Sequence, residues 1–289
     1  MVAAPHNLPL ISVITACFNG AEFITHAIES VLSQTYPRLE YLIIDGGSTD
    51  GTVEIIRRYA PRLAYWHSQP DRGLAHAFNL GLAQAQGDWL VYLNADDFFL
   101  NSEVVADMAP YLRRYQDAEV VYGDVILMAP HPGAEPLPLL RKCSRPWNWH
   151  KMRCSGMFNT IPHQAAFTHR RYFERVGGFS EDFKIAVDYE HYLRGGKFLR
   201  VYYAPVAVSG MRAGGLAGKN LLRTFREFRR AQQRTGALPA LLAWACFYLM
   251  LGRYYLSRLG HRVLDPLAGG LRWPGRVAGT AADLYSGRN

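Results

Sequence analysis

The stretch Leu90–Phe99, L-V-Y-L-N-A-D-D-F-F, decides how the rest of the chain is read. Apolar and aromatic residues run directly into an amide and two adjacent carboxylates, Asp96 and Asp97, and aromatics follow at once. A short continuous apolar run reads as a strand covered on both faces. Neighbouring carboxylates repel and cost free energy unless positive charge lies against them. On the residues alone the doublet is a solvated loop, a cap for a helix starting near Ser102, or a place where a cation and a phosphate meet.

The flanking sequence alternates between strand and helix patterns. Leu10–Ala16 is apolar and β-branched and predicts a strand. Asn19, with Glu22 three residues later, predicts a capping box for the helix that carries Ile24, Ile28, Val31 and Leu32 on one face. Tyr41–Ile44 predicts a second strand, followed by the turn-rich G-G-S-T-D-G. Val53, Ile56 and Tyr59 mark a helix stopped by Pro61, Leu63–Trp66 a third strand, and Leu74, Phe78, Leu82 and Ala85 a helix closed by Gly87. Trp89–Leu93 is the fourth strand. Such alternation with short connections argues for an α/β fold, a mostly parallel sheet flanked by helices. Ligands of such sheets bind in the crevice beyond the carboxyl ends of the strands, where Asp45 and Asn94–Asp97 fall.

The second half is less regular. Glu119–Leu127 predicts another strand, and Pro130–Trp149 reads as a loop. Helices are expected over Arg170–Val176, ended by Gly177-Gly178, and over Val187–Leu193. Leu221, Phe225 and Phe228 form one face of a strongly basic helix, and Thr235–Gly252 runs without a charge.

At 289 residues, 49% hydrophobic and 19% charged, the chain is globular in composition. Cys17, Cys143, Cys154 and Cys246 show no CxxC spacing, which fits a reducing compartment better than a disulfide framework or a zinc site. Met1–Pro9 lacks the pattern of a secretory signal. The net charge of +8 is divided unevenly: residues 1–110 hold 5 Lys/Arg against 12 Asp/Glu, residues 111–289 hold 27 against 12. An acidic half suits a cation and a basic half suits an anionic partner. No nucleic-acid motif accompanies the charge, so nucleic acid is not an expected partner.

Four motifs occur in order: I-S-V-I-T-A-C-F-N-G, S-V-L-S-Q-T-Y-P, I-I-D-G-G-S-T-D-G-T and L-N-A-D-D. With H-Q-A-A-F-T-H-R-R-Y-F-E-R-V-G-G-F and V-D-Y-E-H-Y-L-R further on, the chain resembles the family 2 glycosyltransferases of bacterial surface-polysaccharide type over roughly residues 8–215. The resemblance implies a GT-A fold, a nucleotide-sugar donor, a divalent cation (Mn²⁺ or Mg²⁺) and inversion at the anomeric carbon. It gives Asp97 the metal and Asp96 the ribose or a share of the metal. It places Thr15, Phe18, Asp45 and Asp71 on the nucleotide, Phe18 against the base, and matches Asp188 to the catalytic base. His163 is implied to line the acceptor or donor pocket; Arg212, in M-R-A-G-G, is read from its own surroundings as a residue that could hold the diphosphate from a glycine-rich loop whose backbone can approach it closely. Many relatives carry an acid where this chain has Asn94 and another where it has Gly46. Glu190, two residues past Asp188 on a helix, points elsewhere. The Q-x-x-R-W signature of polymerising synthases is absent from the sequence, which favours transfer of one sugar.

The expected organisation is a catalytic domain over 1–215 and a basic, hydrophobic helical extension over 216–289. Residues 212–289 carry 13 Lys/Arg and 3 acids around the uncharged run, Arg223, Arg226, Arg229, Arg230 and Arg234 before it and Arg253, Arg258 and Arg262 after it. Eighteen residues are at the short limit for a span, and Pro239 with basic flanks fits a helix lying in an interface. Burial against the catalytic domain or in a homo-oligomer are the alternatives. The expectation is a cytoplasmic enzyme, peripheral on the cytoplasmic face of the inner membrane, whose acceptor is a glycan or lipid-linked sugar. Two other readings stay open: a sugar nucleotidyltransferase, which should carry a basic phosphate loop after the first strand, and a catalytically silent binding subunit, which has no need of four costly carboxylates.

Overall fold

The computed structural model describes residues 8–128, 138–142, 147–155, 161–212 and 220–267. Cys143, most of the stretch 130–146, the Gly214-Gly215 loop after Arg212 and the end of the tail lie outside them.

The first four strands are β1 (Ile11–Cys17), β2 (Leu39–Asp45), β3 (Tyr65–Ser68) and β4 (Trp89–Tyr92). They are joined through helices α1 (Ile24–Leu32), α2 (Thr52–Tyr59) and α3 (Leu74–Gln84). All three pairings among these strands are parallel, and Cys17 pairs with Asp45 and Asp45 with Ser68, so the carboxyl ends are level. Alternate residues feed two cores. Ile14, Leu42, Ile44, Leu90 and Tyr92 face one, and Ile11, Val13, Ile43, Val91 and Leu93 the other. Burial on both faces is why these strands read as continuous apolar runs.

The remaining elements are β5 (Asp97–Phe99), α4 (Val104–Arg114), β6 (Val120–Met128), β7 (Pro138–Lys142), α5 (Trp149–Ser155), β8 (Ala166–His169), α6 (Arg170–Val176), α7 (Val187–Gly195), β9 (Val201–Arg212), α8 (Leu221–Arg234) and α9 (Ala240–Leu267). The sheet runs β3-β2-β1-β4-β8-β6-β9-β5, with β7 on β6. β8 is antiparallel to both β4 and β6, β6 and β9 are parallel, and β5 is antiparallel to β9. The sheet is therefore mixed, with its wholly parallel part in the first half. The register sets Gly210 opposite Phe98, and a Cβ on that glycine would come within 2.3 Å of the Phe98 ring. Glycine at this position leaves room for the Phe98 ring where the short β5, which begins at Asp97, pairs with β9.

Two expectations change. Asn19 and Glu22 do not cap α1: the helix starts at Ile24 with Phe23 as N-cap and no side-chain cap. Asn19, at φ 49°, turns back to brace the loop after β2 instead. The stretch read as a loop over 130–149 contains β7, which pairs with β6 across a register irregularity.

The extension is continuous with the core. Phe225, Phe228, Ala231, Ala237, Phe247 and Met250 belong to the same buried cluster as Ile14 and Phe78. Among the described residues no helix is long and apolar enough to cross a membrane.

Candidate active site

Two loops at the carboxyl ends of β1 and β2 form one wall of the crevice, and they are stitched together. The backbone N–H of Asn19 donates to Ser48 Oγ at 2.7 Å, and Thr49 N–H donates to Asn19 Oδ1 at 3.0 Å. Gly20 N–H donates to Thr52 Oγ1 at 2.9 Å and Ala21 N–H to Asp50 Oδ2 at 3.0 Å. Asp45 is fully buried beneath this seam, and its Oδ2 accepts from Gly47 N–H (3.1 Å), Ser48 N–H (2.9 Å) and the Ser68 hydroxyl (2.7 Å). Its carboxylate is engaged by its own turn, which it shapes. Phe18 stands out of the same wall, 66% exposed, so it is not core packing. Thr15 differs from expectation. It is fully buried in the middle of β1 and shares a 3.0 Å hydrogen bond with Tyr41, away from the strand ends where the other residues gather.

Asp71 closes this wall from the β3–α3 loop. Its Oδ1 accepts from Gly73 N–H at 2.7 Å, a turn-forming bond. Its Oδ2 lies 2.8 Å from where a Cβ on Gly46 would sit. The position at which many relatives carry an acid is thus approached by a carboxylate from a different loop. Arg72 points outward into a bidentate pair with Glu181.

The opposite wall assembles residues far apart in sequence. Asn94 Nδ2 donates to Asp97 Oδ2 at 3.3 Å and lies 3.1 Å from His163 Nε2, which accepts from it when the imidazole is neutral. With Nε2 accepting, the His163 Nδ1–H is the donor to Asp188 Oδ2, at 3.3 Å. A continuous polar bridge therefore runs Asp97–Asn94–His163–Asp188. His163 sits on a 3₁₀ turn (His163–Ala165) before β8, and Asp188 in the first turn of α7. Glu190 faces away, buried and paired with Arg194 at 3.2 Å.

The electrostatics separate the two carboxylates. Burial, reinforced by the Asp96 charge, pushes the Asp97 carboxyl up to about 8, against the opposing pull of His163, Asn94 and Arg212. Burial works the same way on Asp188, but the hydrogen bond and charge of His163 outweigh it and hold the carboxyl below its ordinary value. Burial draws His163 down, yet the Asp188 carboxylate keeps it above the ordinary histidine value. Asp97 thus keeps its proton near neutral pH unless a cation stabilises its ionised form, while Asp188 is ionised there and one quarter exposed.

Arg212, at the end of β9, is nearly buried. Its Nη1 donates to the Asp96 carbonyl at 2.8 Å and its Nη2 to His26 Nδ1 at 3.1 Å, and its guanidinium lies between Phe23 and Phe98. Its Nε is buried with no partner among the described residues.

A divalent cation fits this wall in one manner. Asp97 carries a destabilised charge, Asn94 Oδ1 is buried without a hydrogen-bond partner, and no cluster of three His, Cys, Asp or Glu side chains exists among the described residues. Asp97 and Asp96 alone form too small a ligand set for a resident ion, but suit one completed by a substrate diphosphate, the usual manner of Mg²⁺ binding.

Sequence reading missed the buttress behind Asp188. Glu227 of α8 is buried, and its Oε2 accepts from the backbone N–H groups of Lys184 (3.0 Å), Ile185 (2.8 Å) and Ala186 (3.0 Å), the three residues before α7. Tyr189 is held by Gln232 and by the carbonyls of Met152 and Arg153. No signal in the sequence marks Glu227 beyond its being an acid on a basic helix.

A family profile described as Glycosyl transferase family 2 matches residues 12–173. The uncharacterized glycosyltransferase Rv1514c of Mycobacterium tuberculosis is 34% identical over 189 residues, covering 65% of this chain and 69% of that one. A PGL/p-HBAD biosynthesis glycosyltransferase of Mycobacterium bovis is 28% identical over 197 residues, covering 64% and 69%. Among solved structures, the mannosyltransferase PcManGT from Pyrobaculum calidifontis, in complex with GDP-Man and Mn²⁺, matches with a TM-score of 0.60 at 21% identity, over 93% of this chain and 83% of that one. S. aureus TarS matches with a TM-score of 0.59 at 18% identity; 85% of this chain aligns, spanning 43% of TarS. A TarS 1-349 structure holds UDP-GlcNAc and gives a TM-score of 0.58 at 16% identity, over 87% and 75%. These identities establish likeness of fold.

Proposed function

Because the chain belongs to glycosyl transferase family 2 and is a glycosyltransferase with a GT-A-like fold, we propose that it moves one sugar from a nucleoside-diphosphate donor to an acceptor hydroxyl, with inversion. The observation that carries this reading is the bridge Asp97–Asn94–His163–Asp188, which joins a carboxylate needing a cation to one ready to take a proton.

In this reading Asp188 accepts the proton of the acceptor hydroxyl as that oxygen bonds to the anomeric carbon. The bond from that carbon to the diphosphate breaks, and the diphosphate leaves with the electron pair. A placed carboxylate contributes about 10²–10⁴-fold to such a step. His163 keeps Asp188 ionised and oriented. Asp97, with Asp96, would hold Mn²⁺ or Mg²⁺, which would neutralise charge on the departing diphosphate. The free Nε–H of Arg212 offers a further donor to that diphosphate. Phe18 lies against the base, and Asp71 takes the place of the missing acid at Gly46 beside the nucleoside. Asp45 acts by shaping its turn.

The basic extension supports a lipid-linked glycan as acceptor, in polysaccharide assembly, reached from the cytoplasmic face of a membrane. Residues 1–215 carry the reaction, and 216–289 complete the base wall through Glu227.

The test is thermal stability against UDP-, GDP- and dTDP-sugars with and without Mn²⁺. A donor at a hundred times its dissociation constant raises stability by about 2.7 kcal/mol. A rise with one nucleotide class, dependent on Mn²⁺ and lost in Asp97→Ala, is expected. A rise in none of them, together with no sugar transfer to any acceptor hydroxyl, overturns the reading.

A further inference from the structure

Helix α9 is apolar on two sides, and the fold uses only one. Ala243, Phe247 and Met250 are buried in the core, whereas Leu241 (85% exposed), Leu249 (72%), Tyr248 (61%) and Leu242 (52%) stand uncovered. Apolar residues gathered on one exposed face are a feature of binding surfaces. Beside them, between α8 and α9, runs a groove of about 580 Å³ lined by Arg223, Arg226, Arg229, Arg230, Trp244 and Tyr248.

The groove's charge is not balanced from within. Its two acids are engaged elsewhere, Asp182 with Arg234 and Glu227 with Arg223 and the turn before α7. Arg229 lies 3.9 Å over the Trp244 ring and bonds only the neutral Gln233, Arg230 reaches the Asp182 backbone carbonyl, and Arg226 has no partner among the described residues. Three guanidinium groups thus stand without a carboxylate beside an uncovered apolar stripe. A second copy of this face would bring like charges together, and a neutral apolar partner would leave them unmatched. A surface offering phosphates at one level and hydrocarbon just below satisfies both halves.

We propose that this face docks on a lipid bilayer carrying anionic headgroups. Helix α9 lies in the interface with Leu241, Leu242, Tyr248 and Leu249 toward the acyl boundary, and Arg226, Arg229 and Arg230 meet lipid phosphates. The inference rests on the lipid-linked acceptor reading in naming the surface that brings the crevice to its acceptor. Since α8 also carries Glu227, the docked helix pair is the one that holds the turn before Asp188.

The test is flotation of the full chain with phosphatidylcholine vesicles, with and without phosphatidylglycerol. Binding to the anionic vesicles is expected to be at least about tenfold stronger than to neutral ones. Arg226→Glu should weaken it about fivefold or more, and Leu241→Glu with Leu249→Glu should abolish it. Both variants should keep the wild-type melting temperature and donor-induced stabilisation, which shows that they fold. Equal binding to neutral vesicles, no binding to either, or indifference to these substitutions overturns the proposal. So does displacement by inorganic phosphate at constant ionic strength, which marks a free-phosphate site. Conversion of a dimer to a monomer by the leucine substitutions, seen by light scattering, marks a homodimer face and overturns it too. Failed docking with an intact donor response leaves the glycosyltransferase reading standing, and a missing donor response with intact docking leaves this one.

Discussion

The two walls of the crevice are held by opposite means. The wall proposed to hold the nucleotide is made by the loops after β1, β2 and β3 and braces itself: Asn19, Gly20 and Ala21 bond to Ser48, Thr49, Asp50 and Thr52, and Asp45 secures its own turn with Ser68. The wall that carries Asp188 is held from a distance. Asp188 is oriented by His163, 25 residues upstream, and its turn by Glu227, 41 to 43 residues downstream of the bonded amides. A wall built from neighbouring loops is set when its strands pair. One built from remote elements is set only when the whole chain has packed, so remote substitutions should act on catalysis there.

The sharpest challenge to this contrast is Asp188→Asn. The rate of transfer should fall about 10²–10⁴-fold while donor-induced stabilisation persists, because in the proposed mechanism Asp188 meets the acceptor hydroxyl and not the donor. Loss of donor binding in single-turnover and thermal-shift measurements would show that Asp188 serves the donor as well as the acceptor.

Asp97→Asn should abolish Mn²⁺-dependent donor stabilisation and yet raise the stability of the free protein. Its folded pKa of about 8 lies above the unfolded value. The folded state therefore holds this proton more tightly, and stability falls as pH rises from about 4 through 8. Chemical denaturation across that range should show a flatter profile in the variant.

Phe18→Ala tests the self-braced wall. Removing a stacking face should weaken donor affinity by about 1–3 kcal/mol. Stability should change by less than about 0.5 kcal/mol, since the ring is exposed. A melting temperature that drops with unchanged affinity would make Phe18 a packing residue.

On the remote wall, Glu227→Gln keeps an acceptor oxygen for the three amides but loses its charge, and kcat should fall about tenfold or less with donor KM unchanged. Glu227→Ala leaves buried N–H groups unpaired and should cost stability as well, about 1–3 kcal/mol. A drop in melting temperature without any change in kcat for either variant would make Glu227 purely structural.

The smallest effect concerns His191, whose ring is buried among Tyr172, Phe173 and Phe179 and donates from Nε2 to the Gly177 carbonyl at 3.0 Å. Burial, aided by Arg194, lowers it to about 3. Below about pH 6.5 the unfolded chain takes a proton that the folded one refuses, so stability falls as pH drops from 6.5 toward 3. His191→Gln should shallow that slope in urea titrations.

The strands and helices of the first hundred residues were legible because each is written in a local period: doubly buried parallel strands as apolar runs, helices as faces three and four apart. Asn19 misled for the same reason. A local capping rule was applied to a residue whose amide serves a loop thirty positions away. β7 was hidden because a short strand in a proline-rich segment carries no period of its own.

By itself, the sequence determined the α/β alternation, the strand ends that carry Asp45, Asn94 and Asp97, and the family to which the motifs belong. All of these follow from short-range patterns and residue chemistry. Only the tertiary structure decided that Thr15 is buried beside Tyr41, that Asp71 fills the gap left by Gly46, that Asn94 and His163 join Asp97 to Asp188, and that the tail completes the core. Each of those depends on strand register and helix packing, which set distances between residues that no local period relates.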